Sequence, residues 1–243
     1  MKNKTIHILL LLLFLAGQAY DAGAQIQTRP WTLAKLDRKT IYFGFHIGFN
    51  TMNLGLRPKG DPAALGSIYS IESKAGSGFS MGVLTNLRLH EYVAFRFVPS
   101  LSFGGRTLIY TEKEPNETKF RTTRKTVEST LLEFPFLFRL KSARLNDVRL
   151  YLETGFKYSF DLSSKAGTDD GGENLVKLKK HQFTYELGTG IDFYLKYFKF
   201  TPSVRVGWGV NNALYSEGHM YSSALDRVYT RTILFAFYFE GSL

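Results

Sequence analysis

A chain of 243 residues has room for one β-barrel or one ordinary globular domain, and nothing after its N-terminus is long and apolar enough for a membrane-spanning helix. Cysteine is absent, which excludes a lipid-bearing N-terminal Cys, a disulfide framework and thiolate metal sites. The formal net charge of +10 comes from Lys and Arg scattered along the chain, a distribution that argues against a nucleic-acid partner and fits basic loops meeting an anionic lipid surface.

Lys2 and Lys4 precede a short apolar run at 8–16, and small residues lead to Ala22-Gly23-Ala24. A basic start, a run too short to span a bilayer and an Ala-x-Ala site predict a secretory signal over residues 1–24, cleaved after Ala24. Residues 25–40, with Trp31, are expected to form a periplasmic lead-in segment.

From residue 41 onward the dominant signal is strict alternation. Ile41, Phe43, Phe45, Ile47 and Phe49 are apolar, and Tyr42, Gly44, His46, Gly48 and Asn50 between them are mostly small or polar. The pattern recurs at 79–89, 93–103, 130–140, 150–160, 183–193, 198–210 and 229–239, giving eight segments in all. Side chains on a strand alternate between two faces, so each segment has one greasy face and one polar face. Each segment is about ten residues or longer, the length that a tilted membrane strand needs. The connections alternate as well. Tight ones lie near His90-Glu91, 143–148 and Lys196-Tyr197, and long ones are expected at 58–77, 111–125, 162–180 and 211–228. Short periplasmic turns with long outer loops predict an all-β fold: an eight-stranded antiparallel transmembrane β-barrel of the outer membrane over 41–243, with both termini periplasmic.

A soluble barrel of the lipocalin type also alternates, with its apolar face inside. That interior is only just wide enough for side chains to fill, and the apolar face here carries about five bulky residues per strand. The polar face is rich in glycine (Gly44, Gly48, Gly82, Gly155, Gly188, Gly190, Gly207, Gly209), which weakens a strand facing water but makes room in a crowded lumen. The greasy face therefore points to lipid. By parity the lumen receives Glu133, Glu153, Asp161, Glu186 and Asp192 together with Arg88, Arg96, Arg106, Arg139, Lys157, Lys199 and Arg205. Charges in so narrow a space must be paired or hydrated. They are expected to fill the barrel as a structural ion-pair network. A proton or ion path is the functional alternative, with little room for it.

Nothing in the sequence points to catalysis. His46, His90, His181 and His219 form no His-Glu-x-x-His pair, and no nucleophile elbow accompanies the serines. The run 168–173 (TDDGGE) lacks the ligand spacing of a calcium loop. No catalytic residue, metal site or cofactor is expected, and neither is a small-molecule substrate. Phe235, Phe237 and Phe239 resemble an aromatic barrel-assembly signal, imperfectly, since Glu240-Gly241-Ser242-Leu243 follow.

Several blocks carry a resemblance to one family: 37–50 (DRKTIYFGFHIGFN), 67–89 (SIYSIESKAGSGFSMGVLTNLRL), 97–110 (FVPSLSFGGRTLIY) and 127–139 (VESTLLEFPFLFR). Further on come 155–162 (GFKYSFDL), 176–200 (VKLKKHQFTYELGTGIDFYLKYFKF), 209–212 (GVNN) and 221–240 (YSSALDRVYTRTILFAFYFE). Together they resemble PorT, an outer-membrane component of the type IX secretion system of Bacteroidetes. The resemblance implies a non-enzymatic barrel subunit or assembly factor needed to export cargo with a C-terminal sorting domain, such as proteases, surface adhesins and gliding-motility proteins. It implies partners among the other secretion components at the outer membrane, besides outer-membrane lipid, and a conduit formed elsewhere. A free-standing small barrel, adhesin or membrane stabiliser, or less readily a lipid-modifying enzyme, is the competing reading. The apolar and β-branched residues of 65–73 and 176–181 suit loops that pack or bind, and equally suit strands that extend above the membrane.

Overall fold

The computed structural model describes residues 33, 39–59, 68–113, 120–164, 177–215 and 225–241. The expected signal peptide and nearly all of the lead-in segment lie outside these residues. The elements are β1 (Ile41–Pro58), β2 (Ile68–Arg88), β3 (Val93–Phe97), β4 (Ser100–Lys113), β5 (Phe120–Lys141) and β6 (Val148–Asp161). They are followed by β7 (Lys177–Leu178), β8 (His181–Tyr194), β9 (Lys199–Gly209), β10 (Leu214–Tyr215) and β11 (Leu225–Gly241).

Antiparallel pairing runs β1-β11-β9-β8-β6-β5-(β3, β4)-β2 and returns to β1, so the sheet closes into a ring. The elements β3 and β4 are one wall strand. Its ladder breaks at Val98-Pro99, where proline has no N–H to give, yet alternation continues through the break: Arg96, Val98 and Ser100 all point inward. Counted this way, the ring has eight walls, as the alternation predicts. The register Phe43↔Gly241 and Ile41↔Leu87 puts both ends of the ring beside the short turns. In one of those turns Leu145 and Val148 exchange backbone hydrogen bonds of 3.0 Å, and Asn146 takes φ 54°, a left-handed value that Asn tolerates.

The strands run further outward than the expected loops allow. Residues 68–77 belong to β2 and 120–125 to β5, so these stretches, expected within the connections 58–77 and 111–125, are strand. The reason is physical. Period-two hydrophobicity marks only the stretch that has lipid on one side. Above it Ser70, Lys74, Thr122 and Arg124 keep the ladder without the alternation.

On the wall, Phe43, Phe45, Ile47 and Phe49 of β1 and Phe235 of β11 are exposed. They sit among stacked rings such as Phe45–Phe239 at 5.1 Å and Phe97–Phe136 at 4.9 Å. Residues 41–51 rise roughly 33 Å along the strand, or about 25 Å at a barrel tilt near 40°, the height of an outer-membrane apolar band.

Candidate functional site: the barrel interior

Every second residue of the wall strands points into the ring, and ten of the charged ones form one chain. Arg96 on β3 hydrogen-bonds Glu240 on β11, whose other oxygen is 2.7 Å from Lys199 Nζ on β9. Lys199 reaches Asp192 on β8 at 3.6 Å, and Arg139 on β5 meets the other oxygen of Asp192 at 3.2 Å. Arg139 also holds Glu153 on β6 at 3.2 Å, and Glu153 accepts from Arg205 on β9 at 3.2 Å. Arg205 bonds Glu186 at 3.0 Å, and Glu186 and Glu133 clasp Lys157 Nζ at 2.9 and 2.8 Å. From Glu133 the contacts continue as hydrogen bonds through Ser102 (2.8 Å) and Ser80 (2.9 Å) to His46 (3.3 Å).

Cation and anion alternate along this ladder, so each carboxylate except Glu133 lies between two cations. The alternation is what makes burial tolerable. An isolated ion in a medium of low dielectric costs several kcal/mol, and a neighbour of opposite charge on either side offsets that cost. Aromatic faces complete the cations: Arg139 lies 3.4 Å over the Tyr151 ring, and Arg96 4.9 Å over Tyr238. Tyr238 also takes a hydrogen bond from Arg205.

Of the other residues assigned to the lumen by parity, Arg106 is buried higher up and donates to Ser129 Oγ at 3.1 Å, and Ser129 hydrogen-bonds Asp161. Arg88 is only half-buried, at the rim, because β2 ends with it. The member that sequence reading missed is Glu240. It interrupts the aromatic C-terminal pattern, and its parity, opposite to that of Phe239, places it inside.

Glycines make space for these large groups. A Cβ at Gly188 would come within 3.2 Å of both Glu153 and Arg205 side chains, and one at Gly190 would meet the Tyr151 hydroxyl and lie 2.6 Å from the Pro202 carbonyl oxygen. Gly190→Ala should therefore push Tyr151 off Arg139 and cost about 1–3 kcal/mol, the range for overpacking. A lowered midpoint in the temperature dependence of the folded gel band would show it; an unchanged midpoint would mean the lumen has slack at Tyr151.

Both mouths are covered. At the outer end Leu178 and Leu214 pair in the small β7–β10 ladder and bury themselves with Leu54, Leu108, Tyr110 and Val228. Backbone bonds from Lys179 N to Ala213 O and from Ala213 N to Val228 O, both 2.8 Å, hold that cover down. At the short-turn end the Arg144 guanidinium lies 3.7 Å over the Tyr194 ring, and Lys199 donates to the Tyr42 hydroxyl at 3.0 Å. Among the described residues no three His, Asp or Glu side chains are grouped to hold a metal ion.

A closed ring with a greasy wall about 25 Å high and a charged, filled interior defines a small outer-membrane barrel. The chain belongs to the family described as outer membrane protein beta-barrel domain, which it matches over residues 24–215, and its location is the outer membrane. Among solved structures it is similar to Neisserial surface protein A, at 10% identity over 81% of this chain and 96% of that one, with a TM-score of 0.41. It is also similar to OprG from Pseudomonas aeruginosa, at 12% identity over 83% and 91% of the two chains, TM-score 0.40. A third is Ail, the attachment invasion locus protein of Yersinia pestis, solved with the heparin analogue sucrose octasulfate. It is 12% identical over 83% of this chain and 99% of that one, TM-score 0.38. No curated protein matches the chain.

Proposed function

We propose that this barrel is a non-enzymatic subunit or assembly factor of the type IX secretion system, acting through contacts with other secretion components and not as the conduit. The observation that carries the reading is the interior. The ladder from Arg96 to Glu133 crosses it from wall to wall, and the apolar cover of Leu178 and Leu214 lies over the outer mouth. An eight-stranded ring has no spare width for a polypeptide beside such a filling. Its work therefore falls to its outside. The particular system rests on the resemblance of the sequence blocks to PorT, and cargo with a C-terminal sorting domain follows from that resemblance. Two apolar hollows of about 630 and 540 Å³, which share Phe45 and Val83 on the outward wall, offer relief to a partner lying in the membrane plane.

Deleting the gene and assaying culture supernatant for sorting-domain cargo tests the proposal. Cargo should be retained in the periplasm, and expression of the intact chain should restore export. Normal export from the deletion strain would overturn the reading in favour of a free-standing barrel.

A further inference from the structure

The outward face of β11 runs Phe239, Phe237, Phe235 and Ile233, and then changes to Arg231, Tyr229 and Arg227. On β1 the facing residues are Phe45, Ile47, Phe49 and Thr51, followed by Asn53, Gly55 and Arg57. Hydrocarbon gives way to charge within one same-face step, roughly 7 Å of strand. A second marker gives the same depth. Arg231 pairs with Trp208 of β9, which is exposed and stacked on Tyr185 at 6.4 Å, and such rings settle at headgroup level. This is the long-loop side of the ring, the outer leaflet.

From that level outward three arginines line one patch, Arg231 at the boundary and the pair Arg57 and Arg227 two same-face steps, roughly 13 Å of strand, beyond it. Arg57 lies opposite Arg227 in the ladder, and the side chain of Arg231, whose ladder partner is Asn53, extends over Gly55, where a Cβ would be 3.1 Å from its Nε. Tyr229, two residues along the same face, lies beside Arg227 and interacts with its guanidinium. All three arginines are exposed. The Asp226 carboxylate, 3.6 Å from Arg227 Nε and half exposed, leaves the patch positive. Like charges held together cost free energy unless an anion joins them, and guanidinium forks match phosphate oxygens in pairs.

We propose that Arg57, Arg227 and Arg231 bind the phosphate groups of a phosphorylated lipid headgroup in the outer leaflet. The ligand's acyl chains then lie along Phe235 and Ile233, in contact with the apolar band directly below the patch.

The test uses the full chain in neutral detergent micelles, with bis-phosphorylated lipid A or its dephosphorylated form added and bound lipid counted by native mass spectrometry. The phosphorylated form should bind, and R57Q/R227Q/R231Q should weaken it at least tenfold while keeping the folded gel band. Neutralising Arg121 and Arg124, exposed on β5 elsewhere in the ring, should leave binding unchanged. Equal binding of the dephosphorylated lipid, or undiminished binding by the triple variant, would overturn the site. Displacement by inorganic phosphate or by an acidic peptide as readily as by lipid A would equally overturn it, by showing an anion or polypeptide site instead of a lipid one.

Discussion

Glu153→Gln is expected to destabilise the folded barrel by about 3–5 kcal/mol, the loss that follows when one partner is taken from a buried ion pair. Glu153 is 1% exposed and each of its oxygens holds a different guanidinium, Arg139 and Arg205, at 3.2 Å. Glutamine keeps the shape and removes the charge. Two buried cations are then left with one carboxylate each, and the side-chain amide turns a donor toward one of them. Urea unfolding in lipid vesicles measures the effect. Glu133→Gln should cost less, since Glu133 ends the ladder and touches one cation, Lys157. Removing Arg205 in the same chain should recover part of the Glu153→Gln loss, a non-additivity expected only of groups in contact. A loss below 1 kcal/mol for Glu153→Gln would show that water reaches the ladder and screens it.

Phe45→Arg is expected to cost about 2–4 kcal/mol, the penalty for arginine on the lipid face near the bilayer midplane. Phe45 is 53% exposed, lies midway along the apolar row of β1 and stacks on Phe239 at 5.1 Å. The depth dependence is the informative part. Thr51→Arg, at the outer edge of the same row, should cost about 0–1 kcal/mol, because arginine there reaches the headgroups. Equal effects at the two positions in a vesicle unfolding series would mean that this wall does not face hydrocarbon.

The wall was legible because lipid imposes one rule on it. Every second residue from Ile41 to Phe49 meets hydrocarbon, so the parity of each strand can be read without knowing its neighbours. The same parity separates Arg139 and Glu153 from the wall, but it cannot say which cation meets which anion. That depends on register: Arg139↔Glu153 is a direct ladder pair, whereas Arg205 meets Glu153 from a strand two places away. Of the outer cover, the sequence shows that residues 176–181 suit a segment that packs, but not what they pair with. Leu178 and Leu214 lie 36 residues apart in segments two residues long, too short to show a period. For residues 68–77 the sequence leaves loop and extended strand both open for a related reason: with the Ser73 hydroxyl bonding to Asn53, and Lys74 in solvent, no single environment writes a pattern there.

Glu240 gives the closing seam a means of checking itself. It sits on β11, the strand that completes the ring against β1, and is the carboxylate that Arg96 and Lys199 share. A slip of one residue along that seam would turn it to the lipid side. The error would be charged twice, by a carboxylate in hydrocarbon and by two buried cations each short of a partner. A one-residue misalignment of the closing seam is thereby rejected.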